Sequence, residues 1–190
     1  MVASLVVVGT SLGGLSALKV FLLGLDRQFP VPLVVVQHRG KMTDDTLARL
    51  LAANTALQIS EPDDKDLLEP GHVYLAPADY HLLVEAGSLA LSTDGPVNYA
   101  RPSIDVLFES AAESYGRGVV GVILTGSNHD GAKGCASIKD RGGVVLVQEA
   151  STAESGVMPA AAIAATNVDK VLPLSELPTA IADLCREPAR

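Results

Sequence analysis

Leu5-Val6-Val7-Val8-Gly9-Thr10-Ser11-Leu12-Gly13-Gly14 is the stretch from which the fold of this 190-residue chain can be read. Four consecutive apolar residues, three of them β-branched, predict a strand buried on both faces, because a strand with one wet face would alternate apolar with polar. The glycine-rich turn ends that strand, and Gly13-Gly14 opens a helix that the apolar spacing carries to about Leu23.

Working outward, the same alternation of buried strand and helix repeats. Residues 33–36 predict a second buried strand, and residues 43–53 a helix that starts at Thr43 with Asp44 and Asp45 in its first turn, where negative charge suits the helix dipole. Residues 57–60 read as a strand, and the acidic residues 61–69 as a solvated face. From His72 to Ser92 the pattern changes: residues 73–75, 82–84 and 89–91, with the turn Glu85-Ala86-Gly87-Ser88, read as an inserted hairpin. After Pro102, Ser103 caps a helix to about Tyr115; a strand over 119–124, a helix over 131–141 and a strand over 144–147 follow. Two further helices, over 159–165 and 174–184, flank Val171-Leu172. The sum is an α/β chain with a doubly wound, mainly parallel, Rossmann-like sheet and one inserted β-hairpin, with residues 1–190 as a single domain.

Composition narrows the function. Hydrophobic residues make up 48% of the chain, yet no apolar run approaches the roughly 20 residues that span a bilayer. The apolar opening lacks a basic leader and runs straight into Gly9, so it reads as a strand and the protein is expected in the cytoplasm, with no direct membrane insertion. A net charge of -8, without a Lys/Arg cluster or a Trp, argues against nucleic acid as a partner. Cys135 and Cys185 stand far apart and outside metal-ligand spacing, so they read as reduced structural thiols.

In open α/β sheets, ligands bind beyond the carboxyl ends of the strands. Three such positions carry chemistry: Ser11 after the first strand, His38 after the second, and Asp130 in the loop Thr125-Gly126-Ser127-Asn128-His129-Asp130-Gly131. A weakly acidic hydroxyl, an imidazole to take its proton and a carboxylate to hold the imidazole tautomer are what nucleophilic acyl transfer needs. The glycines beside Ser11 let the backbone turn sharply and leave helix-terminal amides free for an oxyanion. Competing readings have less support. Gly9-x-x-x-Gly13-Gly14 is not the dinucleotide-binding pattern, Gln37-His38 stands where a ribose-binding acid would, and the Gly-Lys-Ser/Thr of a Walker loop is missing. Gly9-x-Ser11-x-Gly13 fits a nucleophile elbow, but the order Ser, His, Asp is not that of an α/β-hydrolase. His129 is a rival base, although loop neighbours tend to point apart; His72 and His81 read as structural.

These stretches together resemble the catalytic domain of CheB-type protein-glutamate methylesterases. Val6 to Leu15 resembles that family's serine turn, Val34-Val35-Val36-Gln37-His38 its histidine strand, and Leu124 to Gly131 its acid loop; Tyr74-Leu75-Ala76-Pro77, Arg101-Pro102-Ser103-Ile104-Asp105 and Met158-Pro159-x-Ala161 match further signatures. The resemblance implies hydrolysis of glutamate methyl esters on the cytoplasmic helices of chemoreceptors or similar proteins, often with glutamine deamidation. It implies Ser11 as nucleophile, His38 as base and then acid, Asp130 as the group that orients His38, and neither metal nor cofactor. Leu12, Gly13, Gly126, Ser127 and Asn128 are the expected oxyanion and substrate groove. Leu12 departs from the small or hydroxylated residue usual after the nucleophile, and Ser127-Asn128 replaces Met-Gly. Those departures favour an alternative, a catalytically quiet binding module of the same fold in a signalling complex, which the complete Ser-His-Asp set opposes. The receiver domain that commonly precedes the family's catalytic part is expected to be absent.

Overall fold

The computed structural model describes residues 2–40 and 46–186. The expected helix start at Thr43, Asp44 and Asp45 lies outside the described residues. Nine strands and six α-helices are present among them: β1 (Leu5–Thr10), α1 (Gly14–Leu23), β2 (Leu33–Gln37), α2 (Thr46–Ala52), β3 (Gln58–Ser60), β4 (His72–Leu75), β5 (His81–Val84), β6 (Leu89–Ser92), α3 (Ile104–Tyr115), β7 (Val119–Ile123), α4 (Ala132–Asp140), β8 (Val144–Gln148), α5 (Val157–Ala165), β9 (Lys170–Leu172) and α6 (Leu177–Cys185). Seven strands form one sheet in the order β3-β4-β2-β1-β7-β8-β9, and every pairing in it is parallel.

The continuous apolar runs are explained by the two faces of this sheet. Val6 and Val8 with Leu33 and Val35 pack on one face against Leu18, Phe21 and Leu22 of α1 and Ile181 of α6. Leu5 and Val7 with Val34 and Val36 face the other way, against Ile104, Leu107 and Phe108 of α3, Ile138 of α4 and Met158 of α5. Because side chains alternate across a strand, both sets must be apolar, which removes the alternation a one-sided sheet would show.

The fold class read from the sequence holds, with two local differences. Residues 73–75 are not part of the hairpin: β4 pairs in parallel with β2 and β3, and only β5 and β6 form the antiparallel excursion. The closeness of β4 and β5 in sequence, with no helix between them, hides this. The acidic loop is also not wholly a solvated face, since Glu61 accepts from Arg39 Nη2 at 2.7 Å. The hairpin buttresses α3, with the Val84 amide donating to Ser110 Oγ at 3.0 Å and Ser114 Oγ donating to the Val84 carbonyl at 2.9 Å.

Between β1 and β7 the chain reverses its direction of travel across the sheet, from strands laid down on one side of β1 to strands laid down on the other. This is the switch point where a crevice opens beyond the strand ends. The loops after β1 and β7 meet there.

Candidate active site

Ser11 and His38 directly follow β1 and β2, and Asp130 lies in the loop between β7 and α4. Thr10 pairs with Gln37 in the β1–β2 register, so Ser11 and His38 are the next residues on adjacent strands, which run about 4.8 Å apart. The turn that presents Ser11 is pinned from both sides: its amide donates to the Thr125 carbonyl at 2.9 Å, and its carbonyl accepts from Gln37 Nε2 at 2.9 Å. Gln37 Nε2 also donates to the His38 carbonyl at 2.9 Å, so one carboxamide ties the serine turn to the histidine. Two glycines make that arrangement possible. Gly13 has a φ of 77°, in the left-handed region, and a Cβ at Gly14 would overlap Gln37 Oε1.

Asp130 is buried, and its carboxylate accepts from His38 Nε2 at 2.8 Å through Oδ2. The same oxygen accepts from the Ile104 amide at 2.7 Å, while Oδ1 accepts from Ser103 Oγ at 2.9 Å, the Asp105 amide at 3.1 Å and the Gly131 amide at 3.1 Å. Ser103, Ile104 and Asp105 are the N-cap and first turn of α3, so the carboxylate lies on the unsatisfied amides and positive dipole end of a helix. Burial alone drives the Asp130 carboxyl pKa up, but the hydrogen bond to His38 and the Ile104 and Asp105 amides outweigh it, and the group is held below its ordinary value. A buried anion is therefore fixed behind the imidazole.

That anion decides the histidine's chemistry. A carboxylate only accepts, so Nε2 carries the proton, and Nδ1 is left as the basic nitrogen. Ser11 and His38 line one cavity of about 490 Å³ together with Leu12, Gly13 and Ser127. Among the described residues, Ser11 Oγ and the amides of Leu12 and Gly13 have no hydrogen-bond partner. They are available to a ligand in that cavity.

Of the expected groove residues, Gly126 stands behind the cavity: its amide donates to the Ser155 carbonyl at 3.0 Å, and a Cβ there would lie 2.6 Å from Met158 Cε. Asn128 lies against the imidazole and lines an adjoining cavity of about 600 Å³ that His38 shares. His129 is exposed, whereas His81 is buried and accepts the Ser103 amide through Nδ1 at 3.2 Å. His72 bonds Ser60 Oγ at 2.8 Å. Cys135 and Cys185 are free and buried, and burial pushes the Cys185 thiol up to about 12.

The roles of Gln37 and Ser103 could not be read from the sequence. Gln37 was visible only as the end of a strand, and Ser103 only as a helix cap. No local signal says that this cap also faces a carboxylate 27 positions away.

Comparison with known proteins agrees with this fold. Residues 6–181 match the family described as CheB methylesterase. The chain belongs to that family. It is 46% identical over 173 residues to a Leptospira interrogans protein provisionally named protein-glutamate methylesterase/protein-glutamine glutaminase, covering 90% of each chain. It is 44% identical over 181 residues to protein-glutamate methylesterase/protein-glutamine glutaminase 2 of Anaeromyxobacter dehalogenans, covering 95% of this chain and 53% of that one. Among solved structures, the Thermotoga maritima CheB methylesterase catalytic domain superposes with a TM-score of 0.93 at 34% identity, covering 97% of this chain and all of that one. Among the described residues no helix is long and apolar enough to cross a membrane.

Proposed function

We propose that this protein hydrolyses glutamate methyl esters on a protein substrate, with Ser11 as nucleophile, His38 as base and acid, and Asp130 as the group that holds His38. The observation that carries the reading is the 2.8 Å bond from His38 Nε2 to a buried, helix-capped Asp130, beside Ser11 at the switch point of the sheet.

Ser11 Oγ attacks the ester carbonyl carbon and passes its proton to His38 Nδ1. The resulting oxyanion is met by the free amides of Leu12 and Gly13, the imidazolium being stabilised by Asp130. His38 then gives that proton to the departing methoxide, methanol leaves, and the glutamyl group remains esterified to Ser11. Water attacks this ester as His38 takes one of its protons; His38 returns that proton to Ser11 Oγ as the acyl–oxygen bond breaks, and the glutamate side chain leaves as a carboxylic acid that ionises. A glutamine side chain follows the same route with ammonia as the leaving group. The residues needed lie within one sheet and its loops, so residues 1–190 are read as one catalytic domain. Methylated helices of a chemoreceptor-like protein are the proposed substrate, and they imply the cytoplasm as the working compartment.

The test is release of labelled methanol from methyl-labelled receptor by the wild type and by Ser11→Ala. Release should fall by ~10³ or more in the variant, since members of such a triad act as a unit. Equal inertness of both proteins on several methylated receptors would overturn the reading in favour of a binding module.

A further inference from the structure

The carboxamide of Asn128 occupies the nitrogen that Ser11 needs. Asn128 Nδ2 lies 3.1 Å from His38 Nδ1, and Asn128 Oδ1 accepts the Asp130 amide at 3.2 Å. The second contact fixes the orientation of the first: an amide N–H can only donate, so the atom facing it is the carbonyl oxygen, and the NH2 must point at the imidazole. With Asp130 accepting from Nε2, His38 Nδ1 bears a lone pair, and the Asn128 NH2 donates into it. The tautomer is thus specified at both ends of the ring. Ser11 Oγ meanwhile has no hydrogen-bond partner among the described residues.

We propose that Asn128 is a latch on the catalytic base: it holds His38 ready in the correct tautomer and keeps Ser11 inactive until substrate displaces its side chain. The proposal rests on the serine-hydrolase reading above and adds a gate to it. The placement suits movement. Asn128 is half-buried between the exposed residues Ser127 and His129, so its side chain has room to change rotamer, while on either side the Gly126 amide is held by the Ser155 carbonyl and the Asp130 carboxylate by the Ile104 amide of α3. Its carboxamide also borders the cavity of about 600 Å³ formed with Asn98, Tyr99 and Arg101. A peptide side chain entering that cavity from the substrate would reach Asn128 as the ester reaches Ser11. Displacement frees Nδ1 for the Ser11 proton, so chemistry waits for a bound protein. Small esters and water meet a capped base.

The experiment compares wild type, Asn128→Ala, Asn128→Gly and Ser11→Ala in labelling of Ser11 by a small fluorophosphonate, which reads the nucleophile without any receptor. Loss of one net hydrogen bond to Nδ1 should speed labelling about tenfold in both Asn128 variants. The 15N resonance of His38 Nδ1 should move toward that of an unbonded imidazole nitrogen, with the proton still on Nε2. That shift reports the loss of the contact to Nδ1, and the labelling rate reports whether its loss frees the base. Labelling that is unchanged or slower in both variants, with Ser11 still the labelled residue, overturns the latch alone. Absence of Ser11 labelling in every protein overturns the hydrolase reading and the latch with it.

Discussion

Replacing Asp130 by Asn changes one atom, and its consequences can be worked from the donors around it. An amide has a single acceptor oxygen. If that oxygen keeps the Oδ1 site, it still accepts from the Asp105 and Gly131 amides, and the new NH2 faces the Ile104 amide and His38 Nε2. If it is turned round, the NH2 faces both Asp105 and Gly131. The first case leaves the Ile104 amide and, once the histidine tautomer changes, the Asn128 NH2 without acceptors; the second does so for the Asp105 and Gly131 amides, the Ser103 hydroxyl and the Asn98 NH2, so at about 1–3 kcal/mol per buried group the first arrangement wins. In it, His38 Nε2 must become the acceptor and the proton moves to Nδ1, where it meets the Asn128 NH2, and that nitrogen can no longer take the Ser11 proton. The expected loss in kcat is ~10⁴, about 5.5 kcal/mol of barrier, alongside a stability loss of about 1–3 kcal/mol. Methanol release under saturating methylated receptor measures the first, and urea unfolding the second. A folded Asp130→Asn protein whose kcat lies within tenfold of wild type, or whose His38 keeps its proton on Nε2, would refute this account of the site.

The pH dependence of stability should carry the same signature. Asp130 has a folded pKa below its unfolded value, so its contribution is fully present above the ordinary carboxylate range and is lost as pH falls through the folded value. The stability gap between wild type and Asp130→Asn should therefore narrow below about pH 4 in urea unfolding, and a gap constant down to strong acid would contradict it. Gly14→Ala tests the serine turn. On helix propensity alone it should stabilise α1 by up to about 1 kcal/mol, but its Cβ overlaps Gln37 Oε1 and would lie 2.7 Å from Thr10 Oγ1. A net destabilisation of about 1–3 kcal/mol by calorimetry, with slowed methanol release, is expected, and a stabilised, fully active variant would show that Gln37 does not position the turn.

Much of the molecule was legible from local pattern. The buried strands at residues 5–8 and 33–36, the capped start of α3 at Ser103 and the α/β alternation follow from side-chain periodicity and turn chemistry, which depend on neighbours in sequence. Ser11, His38 and Asp130 could be singled out because each follows a strand end, where the fold class puts ligands. Residues 73–75 read locally as part of a hairpin because the pairing of β4 with β2 is a choice made across the sheet, not within the segment. What tertiary structure alone decided is the electrical state of the site. The order β2-β1-β7 brings His38, Ser11 and the Asp130 loop together, and the packing of α3 lays its free amides on the Asp130 carboxylate. Charge stabilisation falls off over a few ångströms, so whether a carboxylate is held ionised, which imidazole nitrogen keeps the proton and what covers the other one depend on contacts between residues up to 92 positions apart. Periodicity along the chain carries no trace of them.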